Sequence, residues 1–131
     1  MNKENRIRAR QLLVETAQHY NSNNRSVSPD DECIYGGVCA YIPTPEIESE
    51  GCAIGRKLTI EEKELVLENR LNTEGVSEIM RKFKPVNLVG FSLSFLEALQ
   101  DLHDNLGYWC EEGLNERGKG RFKRMIKEFD L

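Results

Sequence analysis

An α+β fold, with four or five helices packed around a small antiparallel sheet containing a β-hairpin, is what this 131-residue chain predicts. Three observations carry it. Apolar residues recur at helical spacing in both terminal segments. Two Ser/Thr-x-x-Glu stretches, Thr59-Ile60-Glu61-Glu62 and Ser94-Phe95-Leu96-Glu97, have capping-box form. Two glycines, Gly36-Gly37, separate runs rich in β-formers, and the favoured hairpin turns need positive φ.

The first predicted helix runs from Lys3 to Tyr20. Ala9, Leu12, Leu13, Thr16, Ala17 and Tyr20 form its stripe, and neither proline nor glycine interrupts it. His19 falls in the last turn, where a cation suits the helix dipole. A polar loop, Asn21 to Pro29, leads to the predicted hairpin from Cys33 to Tyr41. With Gly36-Gly37 as its turn, alternation puts Cys33, Tyr35, Val38 and Ala40 on one face and Ile34, Cys39 and Tyr41 on the other. Cys33 and Cys39 then point apart and do not bridge. Pro43-Thr44-Pro45 stops the second strand, since proline gives the ladder no donor.

Glu46 to Gly51 reads as an exposed acidic connection, and Cys52-Ala53-Ile54-Gly55 as the start of a short helix. Ile60 to Leu71 is the next helix, with Ile60, Leu67 and Leu71 as its buried side. Val76 to Phe83 is a short one, ended before Pro85. The most strongly patterned helix runs from Leu93 to Leu106, its apolar face being Phe95, Leu96, Leu99, Leu102 and Leu106, with Gly107 as a stop. Beyond an aromatic pair at Tyr108-Trp109, Gly113 to Gly120 reads as a charged linker. Arg121 to Phe129 reads as a last helix with Phe122, Met125, Ile126 and Phe129 on one face.

The length suits a single globular domain, residues 1–131, that makes its own core. Charged residues make up 31% and the net charge is −4, so the chain is not globally built for nucleic acid. No apolar run approaches a membrane span, and the first residues do not read as a signal peptide. Four cysteines without an even framework suit reduced thiols in a cytosol. Charge is unevenly spread. Eight acids face only Arg56 and Lys57 between Asp30 and Glu62, whereas six basic residues and no acid lie between Arg117 and Lys127.

Four features, in this order, carry a resemblance: C-x-Y at Cys33 and Tyr35, C-A-I-G at Cys52 to Gly55, L-Q-x-x-H-D from Leu99 to Asp104, and Trp109. The chain resembles a group of small uncharacterised tailed-bacteriophage proteins with these motifs. In that group C-A-I-G follows the C-x-Y hairpin closely, whereas here Val38 to Gly51 intervenes and Cys39-Ala40 offers a second Cys-Ala. Cys39 and Cys52 therefore both stand as the equivalent cysteine. The resemblance implies an accessory gene acting in an infected cell; it implies no particular activity.

Three chemistries deserve weighing. Cys52 follows a glycine at a predicted helix start, where backbone N–H groups and the dipole favour a thiolate. His103 is its candidate base, with Gln100 or Asp104 to orient the ring. Against this, His103 falls inside the apolar arc of Leu96 and Leu99, and Asp104 is turned about 100° away from it. A core histidine with one buried partner is the plainer reading. Cys33-x5-Cys39-x12-Cys52, with His103 or Cys110, supplies soft zinc ligands but no C-x-x-C knuckle, and buried cysteines more often serve as small apolar residues. No metal and no cofactor are assigned. The basic run from Arg117 to Lys127 lacks aromatic interleaving and any recognisable nucleic-acid motif, so an acidic protein partner suits it at least as well.

The expected function is that of a phage accessory protein, for host takeover or counter-defence, which binds a host or defence component in the host cytoplasm. Its expected contact residues are Glu46, Glu48 and Glu50 on the acidic connection and Arg121, Lys123 and Arg124 near the other end. A small-molecule ligand is compatible with this reading, nucleic acid is less favoured, and a membrane is not expected. The alternative is a hydrolase or transferase using Cys52 and His103.

Overall fold

The structure, a computed structural model, describes residues 1–24, 52–71 and 75–131. The predicted hairpin from Cys33 to Tyr41 and the acidic connection from Glu46 to Gly51 lie outside the described residues. Helix α1 (Lys3–His19) is followed by a 3-10 turn (Gly55–Lys57), α2 (Ile60–Glu68), α3 (Val76–Phe83) and a second 3-10 turn (Val86–Leu88). Then come α4 (Leu93–Asp104), a third 3-10 turn (Leu106–Tyr108), strands β1 (Trp109–Cys110) and β2 (Gly113–Leu114), and α5 (Glu116–Glu128). The fold is α+β, with the two strands forming one antiparallel hairpin.

Helix α4 is the centre of the packing. Phe95, Leu96, Leu99, Leu102 and His103 are fully buried, and α1, α3 and α5 all lie against this helix. The stripe on α1 does what its spacing dictates: Ala9, Leu12, Leu13 and Thr16 are buried, and so is Tyr20 just past the helix. The buried Thr16 hydroxyl donates to the Leu12 carbonyl at 2.7 Å, which satisfies the polar atom inside the core. Met125 closes the core from α5, with Phe122, Ile126 and Phe129 half-buried beside it.

Thr59 caps α2 as its sequence requires. Its hydroxyl accepts from Glu62 N at 3.2 Å while the Glu62 carboxylate accepts from Thr59 N at 2.8 Å. The other oxygen of Glu62 accepts from Val86 N at 3.0 Å, so one side chain caps the helix and ties it to the second 3-10 turn.

Four expectations need correction. The predicted buried side of α2 fails at Ile60 (73% exposed) and Leu67, and Val66 is buried instead. The helix ends at Glu68, and Leu71 is reached through left-handed Arg70 (φ 57°), so Leu67 and Leu71 do not share a helical face. Ser92 rather than Ser94 caps α4: its hydroxyl accepts from Phe95 N at 3.3 Å, and Ser94 already lies in the first turn. That helix stops at Asp104, leaving Leu106 exposed in a 3-10 turn.

The fourth correction is larger. Gly113 to Gly120 is not a linker but β2 and the opening of α5. Trp109 pairs with Leu114 and Cys110 with Gly113, around a Glu111-Glu112 turn, with Gly113 at φ 127° where other residues are strained. Asn115 then caps α5, accepting from Gly118 N at 2.9 Å while its amide donates to the Gly107 carbonyl at 2.8 Å. Gly118 is required for contact rather than flexibility. A Cβ there would collide with the Tyr108 carbonyl oxygen.

Candidate functional site

Cys52 opens a tight turn instead of facing a cleft. Its thiol accepts from Gly55 N at 3.3 Å, its carbonyl accepts from Arg56 N at 3.0 Å, and it is 1% exposed. The C-A-I-G residues Cys52, Ala53, Ile54 and Gly55 are all buried, as a turn pressed into a core must be.

The L-Q-x-x-H-D stretch is also bound up with the fold. Leu99 is fully buried. The Gln100 side-chain oxygen accepts from Val76 N at 3.0 Å, supplying a partner to the amino end of α3, whose Gly75 cap has no side chain to do so. His103 is fully buried, and its Nδ1 lies 2.8 Å from Asp104 Oδ1. This overturns the expectation that Asp104 is turned off the His103 ring. Nδ1 is the ring nitrogen nearest the backbone, and Asp104 is the last helical residue, so a short side chain can reach back across the angular offset. With Asp104 ionised, the carboxylate accepts and Nδ1 is the donor in this pair.

Around His103 the rings form a chain. Tyr20 meets His103 edge-on with centroids 4.7 Å apart, and it also meets His19 at 4.7 Å and Trp109 at 6.3 Å. Trp109 donates from Nε1 to the Leu102 carbonyl at 2.8 Å, which fixes the indole against α4. His19 sits in the last turn of α1, as predicted. Among the described residues no hydrogen bond joins Cys52 to His103, and no group of three or more His, Cys, Asp or Glu side chains is placed to hold a metal.

The basic residues near the carboxyl end have unequal surroundings. Arg121 is largely buried and lies 3.5 Å from Glu128, so its charge is partly answered within α5. Lys123 and Arg124 are exposed. Lys119 and Lys123 rim a groove of about 420 Å³ whose floor includes Leu114 and Phe122. Glu46, Glu48 and Glu50 lie outside the described residues. A second concavity, of about 440 Å³, is lined by Arg8, Gln11, Leu12, Glu15, Arg56, Lys57, Asn87 and Phe91. Sequence reasoning missed it because its residues come from segments far apart in the chain. The one local signal was the Arg56-Lys57 pair standing alone in an acidic stretch.

No helix among the described residues is long and apolar enough to cross a membrane. No protein-family model, curated protein or solved structure matches the chain.

Proposed function

We propose that the protein acts by binding: a phage accessory protein, serving host takeover or counter-defence in the host cytoplasm, that captures a host or defence protein. The phage setting rests on the resemblance carried by C-x-Y, C-A-I-G and L-Q-x-x-H-D. One observation supports binding over thiol chemistry. Cys52 and His103 are 1% and 0% exposed, whereas Lys123 and Arg124 stand in solvent on α5. A nucleophile must meet its substrate, while a contact surface needs only exposed groups of matching charge. The partner is therefore an acidic protein surface.

The His103–Asp104 hydrogen bond favours a second reading, a hydrolase or transferase using Cys52 and His103, since it supplies the orienting carboxylate such a pair needs. That reading also requires a cleft that opens between the two side chains.

The two separate in an infected host. Tagged protein is used to capture partners from lysate, alongside the phenotype of cells expressing Cys52→Ser or the double variant Lys123→Glu, Arg124→Glu. Binding predicts that Cys52→Ser keeps both capture and phenotype, and that the charge reversal loses both with an unchanged melting temperature. Loss of phenotype in a folded Cys52→Ser protein, with the charge reversal silent, would establish the enzyme instead.

A further inference from the structure

The groove between α1 and the first two 3-10 turns gathers three cations, Arg8, Arg56 and Lys57, around one carboxylate, Glu15. Among the described residues two positive charges are left over, on a chain whose net charge is −4. Its volume, about 440 Å³, falls within the range of small-ligand sites.

Arg8 and Lys57 are held in place, not merely near Arg56. Arg8 donates from one terminal nitrogen to Asn5 Oδ1 and the Val89 carbonyl, both at 3.0 Å, and from the other to the Asn87 carbonyl at 3.1 Å. Its guanidinium lies 4.7 Å from the centroid of the Phe91 ring. Three of the five guanidinium N–H donors are used and two remain. Lys57 is 3.0 Å from Glu15, which engages only part of its ammonium. The Lys57 backbone is itself pinned, its carbonyl accepting from the Asn87 amide at 2.9 Å. Arg56 lies 5.9 Å from the Tyr20 ring centroid and makes no hydrogen bond or ion pair from its guanidinium among the described residues. Preorganised donors in a concave place bind an anion without the entropy cost of ordering them.

We infer that this groove binds the phosphate group of a small phosphorylated molecule of nucleotide size. A phosphate dianion matches the two unanswered charges, and a guanidinium fork pairs with two phosphate oxygens at once. Glu15 acts as a gate on affinity, since it competes with the ligand for Lys57. This site is independent of the α5 surface proposed to meet a protein partner, and either can fail alone.

Calorimetric titration of the folded full chain at low salt tests it, with pyrophosphate, AMP and adenosine as ligands. Pyrophosphate and AMP are expected to bind saturably at one site, and adenosine, which lacks the phosphate, not to bind. Arg56→Gln and Lys57→Gln are each expected to weaken AMP binding by on the order of tenfold, the scale of one lost charge-assisted hydrogen bond. Glu15→Gln should tighten it, an effect that a merely structural role for the Lys57–Glu15 pair does not produce. Lys123→Glu on α5 should leave it unchanged, and melting curves confirm that each variant is folded. The inference is overturned if neither phosphate ligand binds, if adenosine binds as well as AMP, if Arg56→Gln and Lys57→Gln are both silent, or if Glu15→Gln weakens binding.

Discussion

Two glycines two positions apart in α5 show how far a single residue's role depends on its neighbours. Gly118 lies against the Tyr108 carbonyl oxygen and the Leu114 side chain, with no room for a Cβ. Gly120 would place a Cβ near only the flexible end of Arg124, at 3.6 Å. Gly118→Ala should therefore lower the melting temperature sharply, because the contact is with backbone that belongs to the turn before β1. Gly120→Ala should raise stability by roughly 0.5–1 kcal/mol, the helix-propensity gain of alanine over glycine. Denaturant unfolding of the two variants checks the contrast, and equal effects would contradict this packing. Leu99 and His103 belong to the same scale. Leu99→Ala should cost about 2–5 kcal/mol as a fully buried truncation. His103→Ala should cost about 1–3 kcal/mol, since it removes the Tyr20 contact and strips Asp104 of its 2.8 Å partner.

Element boundaries here are set by short polar side chains rather than by apolar periodicity. Ser92 caps α4 in place of the expected Ser94, because it is Ser92 that accepts from a backbone N–H three residues on. Ser92→Ala should cost about 1 kcal/mol and Ser94→Ala a small fraction of that, measured by chemical denaturation. A larger loss at Ser94 would mean the helix begins two residues later than described. Thr59→Ala should resemble Ser92→Ala. Glu62→Ala should exceed it, because the same carboxylate also receives the Val86 N–H. The carboxyl end of α1 and the start of α5 follow the same logic, with Asn115 doing for α5 what no residue of the predicted linker was expected to do.

At the level of the whole molecule the first and last helices are both basic and adjoin at the chain ends. Arg6 lies 3.5 Å from Asp130, and Arg10 donates to the Leu131 carbonyl at 3.1 Å. Exposed pairs of this kind contribute little to stability, so Arg6→Ala should leave the melting temperature nearly unchanged. The acidic partner proposed above would meet the exposed Lys123 and Arg124 of α5. Capture of that partner should fall steeply as salt rises, because exposed charges more than a Debye length apart are screened. Capture that is indifferent to salt, measured by pull-down across a salt series, would point to an apolar contact instead.

The sequence by itself determined the helical stripes of α1, α4 and α5, the capping box at Thr59 and the short helix from Val76 to Phe83. Each of these is written in near neighbours, three or four residues apart, where backbone geometry alone decides which side chains meet. It also marked His103 as a core residue, from its place among Leu96 and Leu99. Tertiary structure alone decided the rest. Val66 rather than Ile60 and Leu67 packs inward because the core lies on that side of α2. Gly113 to Gly120 becomes strand and helix because Tyr108 and Gly107 offer carbonyls to Asn115. The cationic groove exists only once Arg8, Arg56 and Asn87 have been brought together across more than seventy-five residues of chain. Charges that meet through the fold leave no periodic trace, and that is why the pocket could not be read from the chain.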